Sequence, residues 1–278
     1  MLNALRKSLV IGFSVVGVLL LDHSAQASPL LPGLTNLNFL SYTGIDPKGQ
    51  FTDVKPTGWT GGDRLVFVVK PGDATNPNTA CGATYLSTYG CPSTLAIPGG
   101  YNYVEADGNP LFEAGFGTVL TGLTPGQTYE LSFYQGGSQQ LGFANGQFTT
   151  EQWVVGLGLS LPDVCFDCGA ADPYYGGHRS TYSYSDPNQS FVETPLMITP
   201  SGGLTDWQYV TVQLTAHAPT QILSFLAWGN FGNTINLPPI VFLAAVDAPP
   251  GLNAPEPATL FLLGTGLLVA AKRRRRVN

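Results

Sequence analysis

Hydrophobic and polar positions divide this chain into two apolar termini and a long middle part that alternates with a period of two. Between these termini no apolar pattern of period 3.6 lasts ten residues, so helices are not expected there. Eight alternating segments are predicted as strands: Arg64–Lys70, Tyr101–Asp107, Phe116–Leu123, Thr128–Gln135, Gln152–Leu159, Gln208–Thr215, Gln221–Trp228 and Ile240–Asp247. In the fourth, Tyr129, Leu131 and Phe133 share one side, which predicts sheets with one dry and one solvated face.

The segment Thr124-Pro125-Gly126-Gln127 has the residues of a type II turn, with proline and glycine at its two central positions. It separates two predicted strands, Phe116–Leu123 and Thr128–Gln135, and is expected to join them as a hairpin. The 34 glycines and 22 prolines of the chain indicate many further connections. We therefore predict an all-β protein whose middle part, residues 28–254, is a single β-sandwich of the jelly-roll type.

The amino terminus has the three parts of a secretory signal peptide. Arg6 and Lys7 precede the apolar run Leu9–Leu21, and Ala25 and Ala27 form a small-x-small cleavage site. The run is short for a membrane span, which needs about 20 apolar residues. We predict a signal helix over residues 1–27 that is cleaved after Ala27, with an uncleaved anchor as the alternative.

The carboxyl terminus, residues 255–278, combines an extended motif, an apolar segment and a basic cluster. Pro255, Glu256 and Pro257 come first, and the prolines keep this stretch extended. Ala258–Ala271 would form a transmembrane helix of roughly 21 Å, and Lys272–Arg276 would stay on the cytoplasmic side. This order indicates a transpeptidase sorting signal. A plain tail anchor is the alternative, and a glycolipid anchor is disfavoured because such tails end in apolar residues.

The string PEPATLFLLGTGLLVAAKRRRR, residues 255–276, resembles the PEP-CTERM sorting domain. The resemblance implies recognition by an exosortase, a membrane-embedded processing enzyme of Gram-negative bacteria that typically also make exopolysaccharide. Pro255, Glu256 and Pro257 would be the recognition motif. The chain would be membrane-anchored before sorting, and then surface-bound or secreted.

Charge changes markedly once the two termini are set aside. The whole chain has a formal charge of −6, whereas residues 28–254 contain 16 acidic and five basic residues and so carry −11. An acidic surface repels phosphate backbones, so nucleic acid is not an expected partner.

All four cysteines, Cys81, Cys91, Cys165 and Cys168, belong to this middle part. An even number of cysteines in an exported chain indicates disulfides, and pairing by proximity favours Cys81–Cys91 and Cys165–Cys168. A zinc site is disfavoured because the spacing of Cys81 and Cys91 is too long for a zinc knuckle. A redox pair at Cys165 and Cys168 would need a following helix, which the pattern does not predict.

Several segments resemble the galactose-binding-like jelly rolls of exported bacterial proteins. They are YNYVEADG from Tyr101, GTVLTGLTPGQTYELSFYQ from Gly117 and PPIVFLAAV from Pro238, and Trp59 takes the place of an early tryptophan. The resemblance implies a jelly roll. Ala244 and Ala245 stand where a polar pair is common, which argues against a ligand or calcium contact in the last strand.

Motifs for catalysis are absent from the sequence: it has no G-x-S-x-G, HExxH or Walker-type loop. Glu105 and Asp107 lie two residues apart on one predicted strand, about 7 Å apart on one face, a separation seen in inverting glycosidases. Solvent-facing carboxylates or a structural calcium site are the favoured interpretation of this pair. We expect no cofactor, although structural calcium remains an alternative.

A tyrosine-rich segment, Pro173–Pro187, supplies the candidate ligand-binding residues together with Trp59. These are Tyr174, Tyr175, Tyr182 and Tyr184. Exposed aromatic rings can stack on sugars, whereas a loop packed by its own tyrosines is the alternative. We expect a non-enzymatic surface or matrix protein associated with exopolysaccharide. A secreted glycan hydrolase and a purely structural coat protein are the competing hypotheses.

Overall fold

The computed structural model describes residues 28–43, 55–61, 65–69, 86–89, 102–110, 112–161, 188–230 and 237–247. Both predicted terminal helices, the four cysteines and the tyrosine-rich segment lie outside these ranges. Among the residues that the structure describes, no helix has the length and apolar character needed to span a bilayer.

The described residues form strands connected by turns. They are β1 (Tyr42–Thr43), β2 (Lys55–Pro56), β3 (Thr60–Gly61), β4 (Val66–Val69), β5 (Tyr103–Asp107), β6 (Gly115–Thr121), β7 (Thr128–Gln139), β8 (Thr149–Gly158), β9 (Ser190–Glu193), β10 (Met197–Thr199), β11 (Leu204–Thr215), β12 (Thr220–Gly229) and β13 (Pro239–Ala244). All eight predicted strands are confirmed, with shifted ends. The sequence pattern missed β1, β2, β3, β9 and β10, which have two to four residues each, because stretches this short rarely show a period.

Two antiparallel sheets form a β-sandwich, which confirms the predicted fold class. The five-stranded sheet has the order β11-β7-β13-β5-β4. The six-stranded sheet has the order β10-β8-β12-β6-β3, with β9 also paired to β8. A small third sheet consists of β1 and β2.

An aromatic core joins the inner faces of the two sheets. Phe133 of β7 meets Phe225 of β12 with ring centroids 5.3 Å apart. Phe225 also contacts Phe116 and Trp153 at 5.8 Å each. These rings are fully buried, so they exclude water from the space between the sheets.

Trp153 adds a directional link to this packing. Its indole N–H, on the six-stranded sheet, donates a 2.9 Å hydrogen bond to the main-chain carbonyl of Phe242 on the five-stranded sheet. A buried indole needs such an acceptor, because an unpaired N–H in a dry core costs about 1–3 kcal/mol. The bond fixes how the two sheets face each other at this point.

The predicted type II turn is present, but the predicted hairpin is wrong. Gln127 N–H donates to the Thr124 carbonyl at 3.0 Å, and Gly126 has φ +82°. However, β6 belongs to the six-stranded sheet and β7 to the five-stranded sheet, so the turn crosses between sheets. The β11–β12 connection crosses beside it, and Ala216 exchanges hydrogen bonds with Gly126 and Gln127. Two consecutive strands show the same alternation whether they pair as a hairpin or belong to different sheets. The alternating pattern therefore could not distinguish a hairpin from a turn that crosses between sheets.

Replacing Trp153 by phenylalanine is expected to lower the free energy of unfolding by about 2–4 kcal/mol, because it removes the hydrogen bond to the Phe242 carbonyl and leaves a cavity beside it. Urea unfolding followed by fluorescence measures the change. Trp207→Phe is the matched control. Its indole N–H has no acceptor among the described residues, so we expect it to cost less than about 1 kcal/mol. Equal losses in both variants would contradict the assigned role of the Trp153 bond.

Candidate functional site

An aromatic row crosses the outer face of the five-stranded sheet. It consists of Tyr103 of β5, Phe242 of β13, Tyr134 of β7, and Trp207 and Tyr209 of β11. Alternation places it there: Phe133 points into the core, so the next residue, Tyr134, points outward. Tyr134 pairs directly with Tyr209 on one side and with Ala244 on the other, and Ala244 pairs with Tyr103.

The rings of this aromatic row contact one another across the strands. Tyr134 and Tyr209 are T-shaped with centroids 5.2 Å apart. Tyr103 lies 5.7 Å from Trp207 and 5.5 Å from Phe242 in similar edge-to-face geometry. Edge-to-face pairs of this kind hold their partners in a fixed orientation. The row is therefore a preorganised aromatic surface.

A β-bulge orients Trp207. Two residues of β11, Asp206 and Trp207, lie opposite the single residue Gly136 of β7, where the register shifts. A bulge of this kind changes the direction of a side chain, here placing the indole across the sheet. Gly136 leaves the required space, because a Cβ there would lie 3.4 Å from the indole and 3.1 Å from the Thr205 carbonyl.

Only one edge of the aromatic row reaches solvent. Tyr209 is 38% exposed and Trp207 is half-buried, whereas Tyr103, Tyr134 and Phe242 are buried. Thr211 and Gln213 follow Tyr209 on the same face of β11 and are exposed. Aromatic rings beside hydroxyl and amide groups offer both the stacking and the hydrogen-bonding partners of a sugar ring.

The carboxylates considered from sequence are buried. Glu105 and Asp107 do share the outer face of β5, but they are only 0% and 3% exposed. Burial raises the pKa of Asp107 well above its usual value, although the Asn109 backbone N–H donates to it and lowers that pKa. The expectation that this pair faces solvent is wrong, since both side chains are buried although they lie on the outer face of the sheet.

A separate polar cluster lies between the sheets at one end of the core. Its centre is Glu151 of β8, which accepts hydrogen bonds from the Thr199 and Thr149 hydroxyls. Burial raises the pKa of Glu151 to about 8, and the two hydroxyls oppose that rise. Gly137 of β7 leaves room for the carboxyl group, since a Cβ there would collide with it. Glu151 is therefore a neutral acid at neutral pH.

Trp59, predicted as a ligand-binding residue, is a core residue. Its ring packs against Phe39, Phe116 and Phe225, and it is 4% exposed. Its indole N–H donates to the Thr35 carbonyl at 3.3 Å. A ring covered on all sides cannot stack on a sugar, so this expectation is corrected.

The other predicted site residues lie outside the described ranges. They are Ala25, Ala27, Cys81, Cys91, Cys165, Cys168, Tyr174, Tyr175, Tyr182, Tyr184, Pro255, Glu256 and Pro257. Within those ranges, no three His, Cys, Asp or Glu side chains come together in a way that could hold a metal ion. Sequence reasoning missed Trp207 and Tyr209, although their spacing of two at the start of a predicted strand was a readable sign of a shared face.

Comparison with known families matches residues 253–276 to the PEP-CTERM protein-sorting motif. The chain therefore carries the sorting signal of an exported protein. A comparison with curated proteins found no match.

Solved structures similar to the chain include the following three. TmCBM61 in complex with β-1,4-galactotriose is 14% identical with a TM-score of 0.30, and the alignment covers 68% of this chain and 86% of that one. The bacteriophage CBA120 tailspike protein 4 enzymatically active domain is 12% identical with a TM-score of 0.30, over 76% of this chain and 22% of that one. Family 16 Carbohydrate Binding Module-2 is 16% identical with a TM-score of 0.26, over 58% and 83%.

Glu151→Gln is expected to change how stability depends on pH. Folded Glu151 keeps its proton up to about pH 8, whereas the unfolded chain loses it near the ordinary value of 4.5. The native state therefore binds more protons between these values, and stability falls as pH rises through that window. The difference in unfolding free energy between variant and wild type should change by about 1.4 kcal/mol per pH unit from about pH 5 to 7.

Urea unfolding at a series of pH values measures this slope. Glu193→Gln is the matched control, since Glu193 is only partly buried and bonds Gln152, and it leaves the contribution of Glu151 in place. If Glu151→Gln and wild type kept a constant difference across the window, the carboxyl group would not hold its proton in the folded state.

Proposed function

We propose that this chain is an exported surface or extracellular-matrix protein of a Gram-negative bacterium and is processed by an exosortase. The motif matched at residues 253–276 carries this proposal. Pro255, Glu256 and Pro257 would be recognised, the apolar segment Ala258–Ala271 would hold the chain in the membrane, and Lys272–Arg276 would stop its transfer. Short apolar segments of this kind are accommodated by snorkelling basic side chains and local thinning of the bilayer.

The amino-terminal features agree with export of the part of the chain between the two termini. Arg6 and Lys7 would stay in the cytoplasm, as would Lys272–Arg276, so the β-sandwich between them is moved outward. Removal of residues 1–27 and the disulfide pairs Cys81–Cys91 and Cys165–Cys168 belong to the same proposal, because export leads to an oxidising compartment.

Within this surface protein, the β-sandwich would bind exopolysaccharide without acting on it chemically. The solvent-accessible edge of the aromatic row supports this. The rings of Trp207 and Tyr209 are held in place by contacts with buried rings of the row. Trp207 contacts Tyr103 and Phe242, and Tyr209 contacts Tyr134. Thr211 and Gln213 add hydrogen-bonding groups along the same strand. Rings that are already rigid lose little conformational freedom on binding, so little binding free energy is lost in ordering them. This favours recognition of a polysaccharide that binds weakly.

Two competing functions receive less support. A glycan hydrolase of the inverting type needs two carboxyl groups that reach the glycosidic bond, whereas Glu105 and Asp107 are buried. A coat protein without a ligand gives no reason for an aromatic row that reaches solvent at Trp207 and Tyr209. The binding interpretation accounts for both observations.

Exosortase processing is tested by intact mass spectrometry of the protein from strains with and without the enzyme. The mature chain should begin at Ser28 in both strains, since signal cleavage does not depend on the exosortase. The basic cluster Lys272–Arg276 should be lost only when the enzyme is present. An identical carboxyl terminus in the two strains would reject the sorting proposal.

Glycan binding is tested by affinity electrophoresis of the full chain in gels containing exopolysaccharide purified from the producing strain. Trp207→Ala and Tyr209→Ala should each weaken retardation by about tenfold, since each removes one stacking ring. Phe148→Ala is the matched control, because Phe148 is 63% exposed and lies in the β7–β8 connection away from the row. Equal weakening in the control, or none in the other two, would place binding elsewhere or exclude it.

A further inference from the structure

The edge of the five-stranded sheet at β11 is a surface that the proposed function does not use. Among the residues that the structure describes, β11 pairs with β7 alone and is the last strand of its sheet. Its register with β7 is unbroken from Gln208 to Thr215. This edge is therefore a regular strand that has one side of its main chain directed away from the sheet.

The hydrogen bonds of β7 show that Thr211 directs its main chain outward at this edge. Ser132 of β7 lies opposite Thr211, and its carbonyl accepts a hydrogen bond from the Asp247 N–H on the other side of β7. The N–H and C=O of one strand residue point to the same side, so Ser132 and Thr211 exchange no main-chain hydrogen bonds. The N–H and C=O of Thr211 therefore point away from β7.

Gln213 and Thr215 follow the same rule, since every second residue of a strand directs its main chain the same way. Glu130, opposite Gln213, donates its N–H to the amino-terminal segment and not to β11. The Thr215 N–H donates to Ser190 Oγ at 3.2 Å, outside the ladder with β7. In the described part of the chain, no main-chain group bonds Thr211 or Gln213 on the outward side, and both residues are exposed.

The sequence of this edge lacks the features that keep edge strands from pairing with other molecules. Such strands usually carry a charged residue, a proline or a bulge, or are very short. The stretch YVTVQLT, Tyr209–Thr215, has no charged residue and no proline, and the bulge of β11 lies before it. Residues 28–254 have a formal charge of −11, so two copies can approach at this uncharged edge without bringing acidic groups together.

We propose that β11 pairs antiparallel with β11 of a second copy of this chain, about a two-fold axis at Thr211. Thr211 then faces Thr211 of the second copy. This pair exchanges two N–H···O=C bonds, because both members direct their main chains outward. Tyr209 faces Gln213 of the second copy, so no like charges oppose each other across the strands. The two copies of Asp206 lie at opposite ends of the pair.

The pairing places the two aromatic rows on one surface. A two-fold axis between antiparallel strands is perpendicular to the sheet, so both copies present their outer faces on the same side. The two five-stranded sheets continue into each other, and the exposed rings of both copies can contact one polymer. Two linked sites raise the overall affinity without any new contact to the ligand. The pairing of the strands does not itself depend on glycan binding.

Sedimentation velocity of the purified full chain, with no polysaccharide present, tests the dimer. The wild type should pass from monomer to dimer as its concentration rises. Thr211→Lys and Thr211→Asp should each weaken dimerisation about tenfold or more, since like charges then face each other at the axis. An equal mixture of the two variants should restore the dimer, because lysine then faces aspartate.

Val119→Lys is the matched control, because Val119 is 54% exposed on β6 of the other sheet. This variant should dimerise like the wild type. A wild type that stays monomeric at every concentration would overturn the proposal. Dimerisation that is unchanged in both Thr211 variants, or a mixture no more dimeric than its components, would also overturn it.

Hydrogen exchange followed by mass spectrometry gives a second readout that needs no variant. Peptides that contain Thr211 and Gln213 should exchange more slowly at high than at low protein concentration, because their outward N–H groups become bonded in the dimer. Peptides from the β7–β8 connection, away from this edge, should exchange at the same rate at both concentrations. Exchange at Thr211 and Gln213 that does not depend on concentration would contradict the pairing.

Discussion

Exclusion of water from the space between two twisted sheets is the constraint on which the rest of the structure depends. Phe116, Phe133, Trp153 and Phe225 fill that space, and the Trp153 indole bonds the opposite sheet at Phe242. Turns that cross between sheets, rather than hairpins within them, close the sandwich at the end formed by Thr124–Gln127 and Ala216. Once the inner faces are fixed, the period of two determines what every strand presents on its outer face.

The aromatic row is a direct consequence of that register. Tyr103, Tyr134 and Phe242 point outward because their neighbours point inward, and Trp207, two residues before Tyr209, lies on the same face beside the β11 bulge. The buried polar cluster has the same origin. β7 and β8 face each other across the core, so the inward positions Gln139 of β7 and Thr149 and Glu151 of β8 meet there instead of reaching solvent. The register thus places the aromatic row on the outer face of the five-stranded sheet and the polar cluster between the sheets.

The sequence predicted the strands well and the connections poorly. Alternation located β7 and β11 correctly, but β7 continues to Gln139, beyond the predicted end at Gln135, because Gly136 and Gly137 interrupt the apolar pattern without interrupting the ladder. The wrong prediction of a hairpin between β6 and β7 has a related cause. Alternation shows which side of a strand is buried, but it does not show which sheet the strand joins. Trp59 was assigned to a ligand surface from its place in the resemblance to galactose-binding-like jelly rolls, whereas long-range packing buries it. The bulge at Trp207 and the meeting of Gln139 with Thr149 depend on strand pairing, which no local pattern encodes. The sorting motif was predicted in full because it is contiguous in sequence and needs no tertiary structure.

The central claim is that a β-sandwich is carried out of the cell between an amino-terminal export signal and a carboxyl-terminal sorting signal. Fractionation of producing cells, with an antibody against the β-sandwich, tests it most directly. The account predicts that the protein is found at the cell surface or in the medium, without residues 1–27 and with its cysteines oxidised. A full-length chain confined to the cytosol, with both termini present and all four thiols reduced, would contradict it.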